Sequence, residues 1–153
     1  MKTISITKNN LDSNNFYKGE GVGRWDAQEA ANLELSENLG TVHFKLAIYV
    51  KGYVYAKAGS GIEAGESILS GLSIVCKLIL SCQHNIFAGT CWWKKATDEE
   101  SLVICGELKK GTIAHGELKI VKQETPKVEK IVSLSGKTVS VTVDGKTYEA
   151  VIK

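Results

Sequence analysis

Between residues 42 and 58 every even-numbered position is apolar or small: Val42, Phe44, Leu46, Ile48, Val50, Gly52, Val54, Ala56 and Ala58. The odd positions between them are mostly polar or aromatic: Lys45, Ala47, Tyr49, Lys51, Tyr53, Tyr55 and Lys57. An alternation of period two belongs to a strand with one buried face, because successive side chains leave a strand on opposite sides. A helix needs a period of about 3.6 and does not fit. The even face continues through Ile62, Ala64, Ile68, Ser70, Leu72, Ile74, Cys76, Leu78, Leu80, Cys82, Ile86, Ala88 and Trp92. Gly59-Ser60-Gly61, Gly65 and Gly71 punctuate it, so one long strand is excluded. The chain must turn repeatedly and keep the same face inward.

A beat of six residues runs through this stretch. Phe44, Val50, Ala56, Ile62, Ile68, Ile74, Leu80, Ile86 and Trp92 keep it, and so do the small residues Gly52, Ala58, Ala64, Ser70, Cys76, Cys82 and Ala88. Six is even, so strand parity survives every turn. The pattern predicts an all-β fold: a short, single-stranded β-solenoid, that is, a parallel β-helix. With about three hexads, ~18 residues, per circuit, Ile62 stacks on Phe44 and under Leu80. On the same count Ile68 lies between Val50 and Ile86, and Ile74 between Ala56 and Trp92. Glu66 and His84 are polar members of the even series. They share their place in the hexad with Ser60, Leu72, Leu78 and Thr90, which marks a corner where a side chain reaches water.

The flanks divide the chain further. Residues 1–38 form an N-terminal segment and cap, with a short strand at Thr3-Ile4-Ser5-Ile6-Thr7 and a bend at Gly19-Glu20-Gly21-Val22-Gly23. Residues 26–35 fit either a helical turn capped by Asp26 or the first strand of the solenoid. The solenoid spans 39–121, interrupted by a charged loop at 94–101, with looser edges at Gly106-Glu107-Leu108 and Gly116-Glu117-Leu118. Residues 122–129 form a linker. Residues 130–153 form a C-terminal antiparallel β-hairpin with strands near 130–134, 138–143 and 147–152. Its turn is Asp144-Gly145, a strong two-residue hairpin signal. This tail caps the solenoid or pairs with a partner, since an open end is an unpaired sheet edge.

Composition narrows the function classes. In 153 residues there are 19 Lys and Arg against 17 Asp and Glu, a net charge of +2. That is too little to argue for nucleic acid. No apolar run reaches the roughly 20 residues of a membrane helix. The N-terminus lacks the apolar core of a signal peptide, so a cytoplasmic protein with reduced thiols is expected.

The run 58–74, Ala-Gly-Ser-Gly-Ile-Glu-Ala-Gly-Glu-Ser-Ile-Leu-Ser-Gly-Leu-Ser-Ile, resembles small hexad-repeat proteins of bacterial genomes and prophages. Ile86-Phe87-Ala88-Gly89-Thr90-Cys91-Trp92 matches a second segment of that group. The resemblance covers about residues 40–120, and its hexads are specific for a β-helix and not for any one activity. The stacked short strands also resemble bactofilins, the polymer-forming β-helix proteins, without their flanking tails. Hexapeptide acyltransferases place a small residue two positions before each aliphatic. Here those positions hold Glu66, Leu72, Leu78 and His84, and the small residue follows instead. That departure points to a different, right-handed solenoid.

Candidate chemistry is sparse. Cys76, Cys82, Cys91 and Cys105 form no CxxC, and Cys76 and Cys82 fall in the small-residue column as core packing. No metal, cofactor or catalytic residue is expected, and His84 is the one corner histidine that an acyltransferase could use as a base. Two surface features remain. Tyr49, Lys51, Tyr53, Tyr55 and Lys57 interleave aromatic and basic groups on the odd face, which suits a protein partner or single-stranded nucleic acid. The same residues also suit a plain soluble strand. Trp93, Lys94 and Lys95 place a tryptophan beside two cations at the start of the charged loop, either as an exposed interface anchor or under the C-terminal hairpin. These eight residues are the candidate partner-binding set of a non-enzymatic protein. The prophage resemblance implies, in its sharpest form, an anti-CRISPR-type inhibitor whose protein partner is a host CRISPR effector. The alternatives are a self-assembling scaffold of the bactofilin kind, associating through its solenoid ends or C-terminal hairpin, and an acyltransferase-like enzyme.

Overall fold

The alternation along the chain becomes a largely parallel sheet in the computed structural model, which describes residues 2–19, 30–91, 93–122, 138–143 and 146–151. Helix is almost absent among the described residues, which hold two single 3-10 turns at Lys8–Asn10 and Glu99–Ser101. No helix among them is long and apolar enough to cross a membrane. The chain divides into two compact units, residues 1–122 and 123–153.

In the first unit the chain returns again and again to pair in parallel with an earlier strand, and the pairings fall into three faces. The first face joins β1 (Lys2–Ile6), β2 (Ala30–Leu35), β5 (Val54–Ala56), the start of β8 (Ile74–Phe87), the start of β9 (Leu102–His115) and β10 (Glu117–Ile120). Its inward row runs Ile4, Leu33, Val54, Ile74, Val103, Leu118, and the row beside it Ile6, Leu35, Ala56, Cys76, Cys105, Ile120. The second face joins β3 (Gly40–Phe44), β6 (Ser60–Ala64) and the middles of β8 and β9, aligning Val42, Ile62, Leu80 and Leu108. The third joins β4 (Ile48–Val50), β7 (Ile68–Ser70) and the ends of β8 and β9, aligning Ile48, Ile68, Ile86 and Ile113. Ile48, Ile62, Ile68, Ile74, Leu80 and Ile86 are fully buried. Each contributes roughly 1.5–3 kcal/mol by leaving water, so these stacks carry most of the stability.

The spacing of the stack differs from the uniform hexad count. Ile62 lies under Leu80, 18 residues on, as the beat requires. On its other side it pairs with Val42, 20 residues back, and not with Phe44. Likewise Ile68 pairs with Ile48 and Ile86, and Ile74 with Val54 and Val103, in place of Val50, Ala56 and Trp92; Trp92 itself lies outside the described residues. The cause is a slip of two residues at 57–61. Val54 to Ile62 spans eight residues, where the equivalent step from Ile74 to Leu80 spans six. Gly59, at φ 72°, makes the wider corner. A slip of two leaves strand parity intact, which is why the beat looks unbroken in the sequence.

The same slip overturns the corner assignment of Ser60, which is fully buried. Its hydroxyl donates to the Ser36 carbonyl (2.6 Å) and accepts from the Leu39 amide (3.0 Å), so no polar group is stranded. Leu46, assigned to the buried face, is 57% exposed in the turn between β3 and β4. Glu66 and His84 are exposed as expected. Gly65 and Gly71 stand in the other two corners, and for a different reason. A Cβ on either would collide with the carbonyl of Lys45 or Lys51, one circuit earlier.

The N-terminal segment contributes strands of its own, because β1 and β2 belong to the first face; Ala30–Leu35 is strand, not helical turn. Residues 7–19 fold over this end: Leu11 is 6% exposed, and the Tyr17 ring packs 5.6 Å from that of Phe44. Most of the glycine-rich bend lies outside the described residues. In the second unit β11 (Thr138–Val143) and β12 (Lys146–Val151) pair antiparallel, with Val143 opposite Lys146. The turn Asp144-Gly145 and the strand expected at 130–134 lie outside the described residues.

Candidate functional site

Because inward positions form the core, function must be sought on the outward rows. On the second face that row is polar: His43, Glu63, Ser81 and Lys110. His43 Nδ1 lies 3.8 Å from the Glu63 carboxylate, Phe16 stacks on His43 at 5.1 Å, and Lys110 donates to the Gln83 side chain. Ser81 is buried, while His43 and Glu63 are half-buried and Lys110 reaches solvent.

The other two outward rows are largely apolar. On the third face Tyr49, Leu69 and Phe87 align, followed by His115. On the first, Tyr55, Val75 and Ile104 align between Glu34 at one end and Lys119 at the other. All six aromatic and aliphatic residues are half-buried. Only the first-face row is bounded by charged residues at both ends, and apolar rows on an outer surface are a feature that protein-binding patches share.

The structure therefore distributes the tyrosine–lysine stripe differently from a single outer face. Tyr49 stands on β4 of the third face and Tyr55 on β5 of the first, with Lys51 and Tyr53 in the turn between them and Lys57 in the turn after. All five point away from the core, yet the turn splits them across two faces. Tyr53 donates its hydroxyl to the Glu34 carboxylate, a bond that pushes the phenol's pKa upward, and its amide bonds to Asn32 Oδ1 at 3.2 Å. It is thereby tied to the first-face row beside Tyr55.

Trp93 is 41% exposed and comes close to Gly71, in the turn between the third and first faces. A side chain at position 71 would press on its ring. The indole thus sits at the corner where the two apolar rows meet. Lys94 is bound to Glu100, holding that carboxyl below its usual range, while Lys95 is exposed. Leu69, Val75, Phe87 and Ile104 escaped the sequence reading of the surface. For the first three the signal was present, since odd positions from 69 to 87 hold several aliphatic or aromatic residues where 45 and 51 hold lysine; Ile104 falls on an even position and outside that run.

The cysteines sit in the core. Cys76, Cys82 and Cys105 are buried and Cys91 is half-buried, all with free thiols. Cys76 stacks on Ala56 and in register with Cys105, and Cys82 stacks on Ala64. Desolvation pushes the Cys76 thiol up to about 11 and raises Cys82 and Cys105 as well. Such thiols stay protonated and unreactive at neutral pH. Among the described residues no group of three or more His, Cys, Asp or Glu is placed to hold a metal ion. Comparison with protein-family models, curated proteins and solved structures finds no match.

Proposed function

We propose that this chain is a non-enzymatic, right-handed β-solenoid, ended by a C-terminal β-hairpin, that binds a protein partner across its first and third outer faces. The observation that carries the reading is the pair of outward apolar rows, Tyr49–Leu69–Phe87 and Tyr55–Val75–Ile104, meeting near Trp93. A surface kept only for solubility would carry charge at these positions, as the second face does. The resemblance of residues 58–74 and 86–92 to prophage hexad-repeat proteins gives the reading its sharpest form. In that form the chain is a mobile-element inhibitor of a bacterial defence nuclease.

Affinity capture from a bacterial lysate, with the wild-type chain beside Leu69→Lys and Phe87→Asp variants, tests it. A defence nuclease component retained by the wild type and lost by both variants supports the proposal, and adding the purified chain then reduces cleavage by that nuclease. Recovery of no defence component removes the inhibitor form. Equal recovery by variants and wild type removes the assignment of the two faces. A second reading, self-assembly through an end of the parallel stack, is favoured by one feature: the exposed strand β10 at the end of the first unit.

A further inference from the structure

The two ends of the first unit are finished differently. At the N-terminal end Ile6 is fully buried, and Leu11 and Tyr17 lie over the strands. At the other end every residue of β10 is exposed. Leu118 and Ile120 continue the inward rows of Val103 and Cys105, yet they are 36% and 47% exposed, and Val121 beside them is 55% exposed. Leu108 and Ile113, the last members of the second- and third-face stacks, are only partly covered. β10 pairs on one side with β9, and no other described strand takes the backbone N–H and C=O groups of its other edge. Such an edge beside apolar side chains is a template for another strand.

The sequence of β10 says which strand fits. Glu117 and Lys119 share the outward side, 3.9 Å apart, with Leu118 between them on the inward side. If a second copy of β10 pairs antiparallel about a two-fold axis at Leu118, each Glu117 faces the partner's Lys119 and each Lys119 the partner's Glu117. The two Leu118 side chains meet on the inward side. Opposite charges directly across a strand pair stabilise it and like charges oppose it. The strand is therefore self-complementary in both charge and apolar register, as an isologous two-fold interface requires.

We infer that β10 is a dimerisation edge, at which two copies of this chain join tail to tail and cover each other's Leu118, Ile120 and Val121. Because β10 pairs with its own copy about a two-fold axis, the contact uses up both edges and closes at two chains. The inference deepens the self-assembly reading and, apart from Lys119 at the end of the first-face row, uses none of the residues of the partner-binding faces.

The test is sedimentation equilibrium of the full chain across a concentration series, with charge reversals at β10. The wild type is expected to reach twice the 16.6 kDa chain mass. Glu117→Lys or Lys119→Glu alone sets like charges opposite one another at two places and weakens the dimer roughly tenfold. The double reversal, E117K with K119E, restores the pairing and the wild-type dissociation constant. Leu118→Asp gives monomers whose circular dichroism matches the wild type, since the position is already exposed. A wild type that stays monomeric at all concentrations overturns the inference, as does growth beyond two chains. So does a dimer that single and double reversals affect alike.

Discussion

The hydroxyl of Ser60 donates a 2.6 Å hydrogen bond to the carbonyl of Ser36, one circuit away, and accepts the amide of Leu39 at 3.0 Å. One buried side chain thus satisfies two backbone groups that the wide corner between the first and second faces would otherwise strand. Ser60→Ala removes both bonds and leaves the Leu39 amide unpaired. The expected cost is about 1–3 kcal/mol, read as a lower urea midpoint with an unchanged slope. Exposed Ser13→Ala, for comparison, should lie within about 0.5 kcal/mol of wild type. A Ser60→Ala chain as stable as wild type would show that the corner relaxes to satisfy its own backbone.

Gly71 makes a separate case, because its φ is not the constraint. A methyl group there would run into the Lys51 carbonyl and the Trp93 ring. Gly71→Ala should destabilise the chain by about 1–3 kcal/mol, the range for forcing extra carbon into packed structure. It should also shift the tryptophan emission as the indole is displaced. Unchanged emission together with unchanged stability would place Trp93 away from this turn.

Ile68 lies in register between Ile48 and Ile86 and is fully buried. Ile68→Ala should cost about 2–5 kcal/mol through lost burial and the cavity left behind. Leu46, equally apolar in sequence, should tolerate Leu46→Ser within about 0.5 kcal/mol because it already faces water. Thermal unfolding of the two variants checks the contrast, and equal losses would contradict the turn at residues 45–47.

That contrast shows where the sequence is legible. Parity revealed the parallel, inward-facing stack, since the side-chain period of a strand is two and every turn between residues 42 and 88 preserves it. Parity alone cannot count residues in a corner. The corner from the first face to the second spans nine, eight, six and five residues in successive circuits, from Leu33 to Val42, Val54 to Ile62, Ile74 to Leu80 and Val103 to Leu108. The nine-residue step switches parity with help from Asn38 at φ 57° and Gly40 at φ 70°, and the five-residue step does so through a register shift between β8 and β9 after Cys76 and Cys105. A constant beat therefore aligned Ile62 with Leu80 correctly and with Phe44 wrongly. The surface was less legible for a related reason. Tyr49 and Tyr55 are both odd, but whether they share a face depends on the turn between them, which parity does not see.

The buried thiols give a pH prediction whose sign follows from their shifts. Burial raises Cys76 from the ordinary 9.0 to about 11, so the folded chain holds this proton more tightly than the unfolded one. Its contribution is complete below pH 9 and is lost as pH rises from about 9 towards 11, at roughly 1 kcal/mol per pH unit at most. Cys82 and Cys105, also raised by burial, act in the same direction. Lysines and tyrosines titrate in this window too, so the informative quantity is the slope of stability against pH in wild type compared with Cys76→Ala, which should be shallower. The same burial predicts thiol reactivity at neutral pH. A disulfide reagent should label half-buried Cys91 in the native chain and all four cysteines only after unfolding. Labelling of Cys76 as fast as Cys91 in the native chain would mean that the stack of Ala56, Cys76 and Cys105 is open to solvent, and the first face is not packed as described.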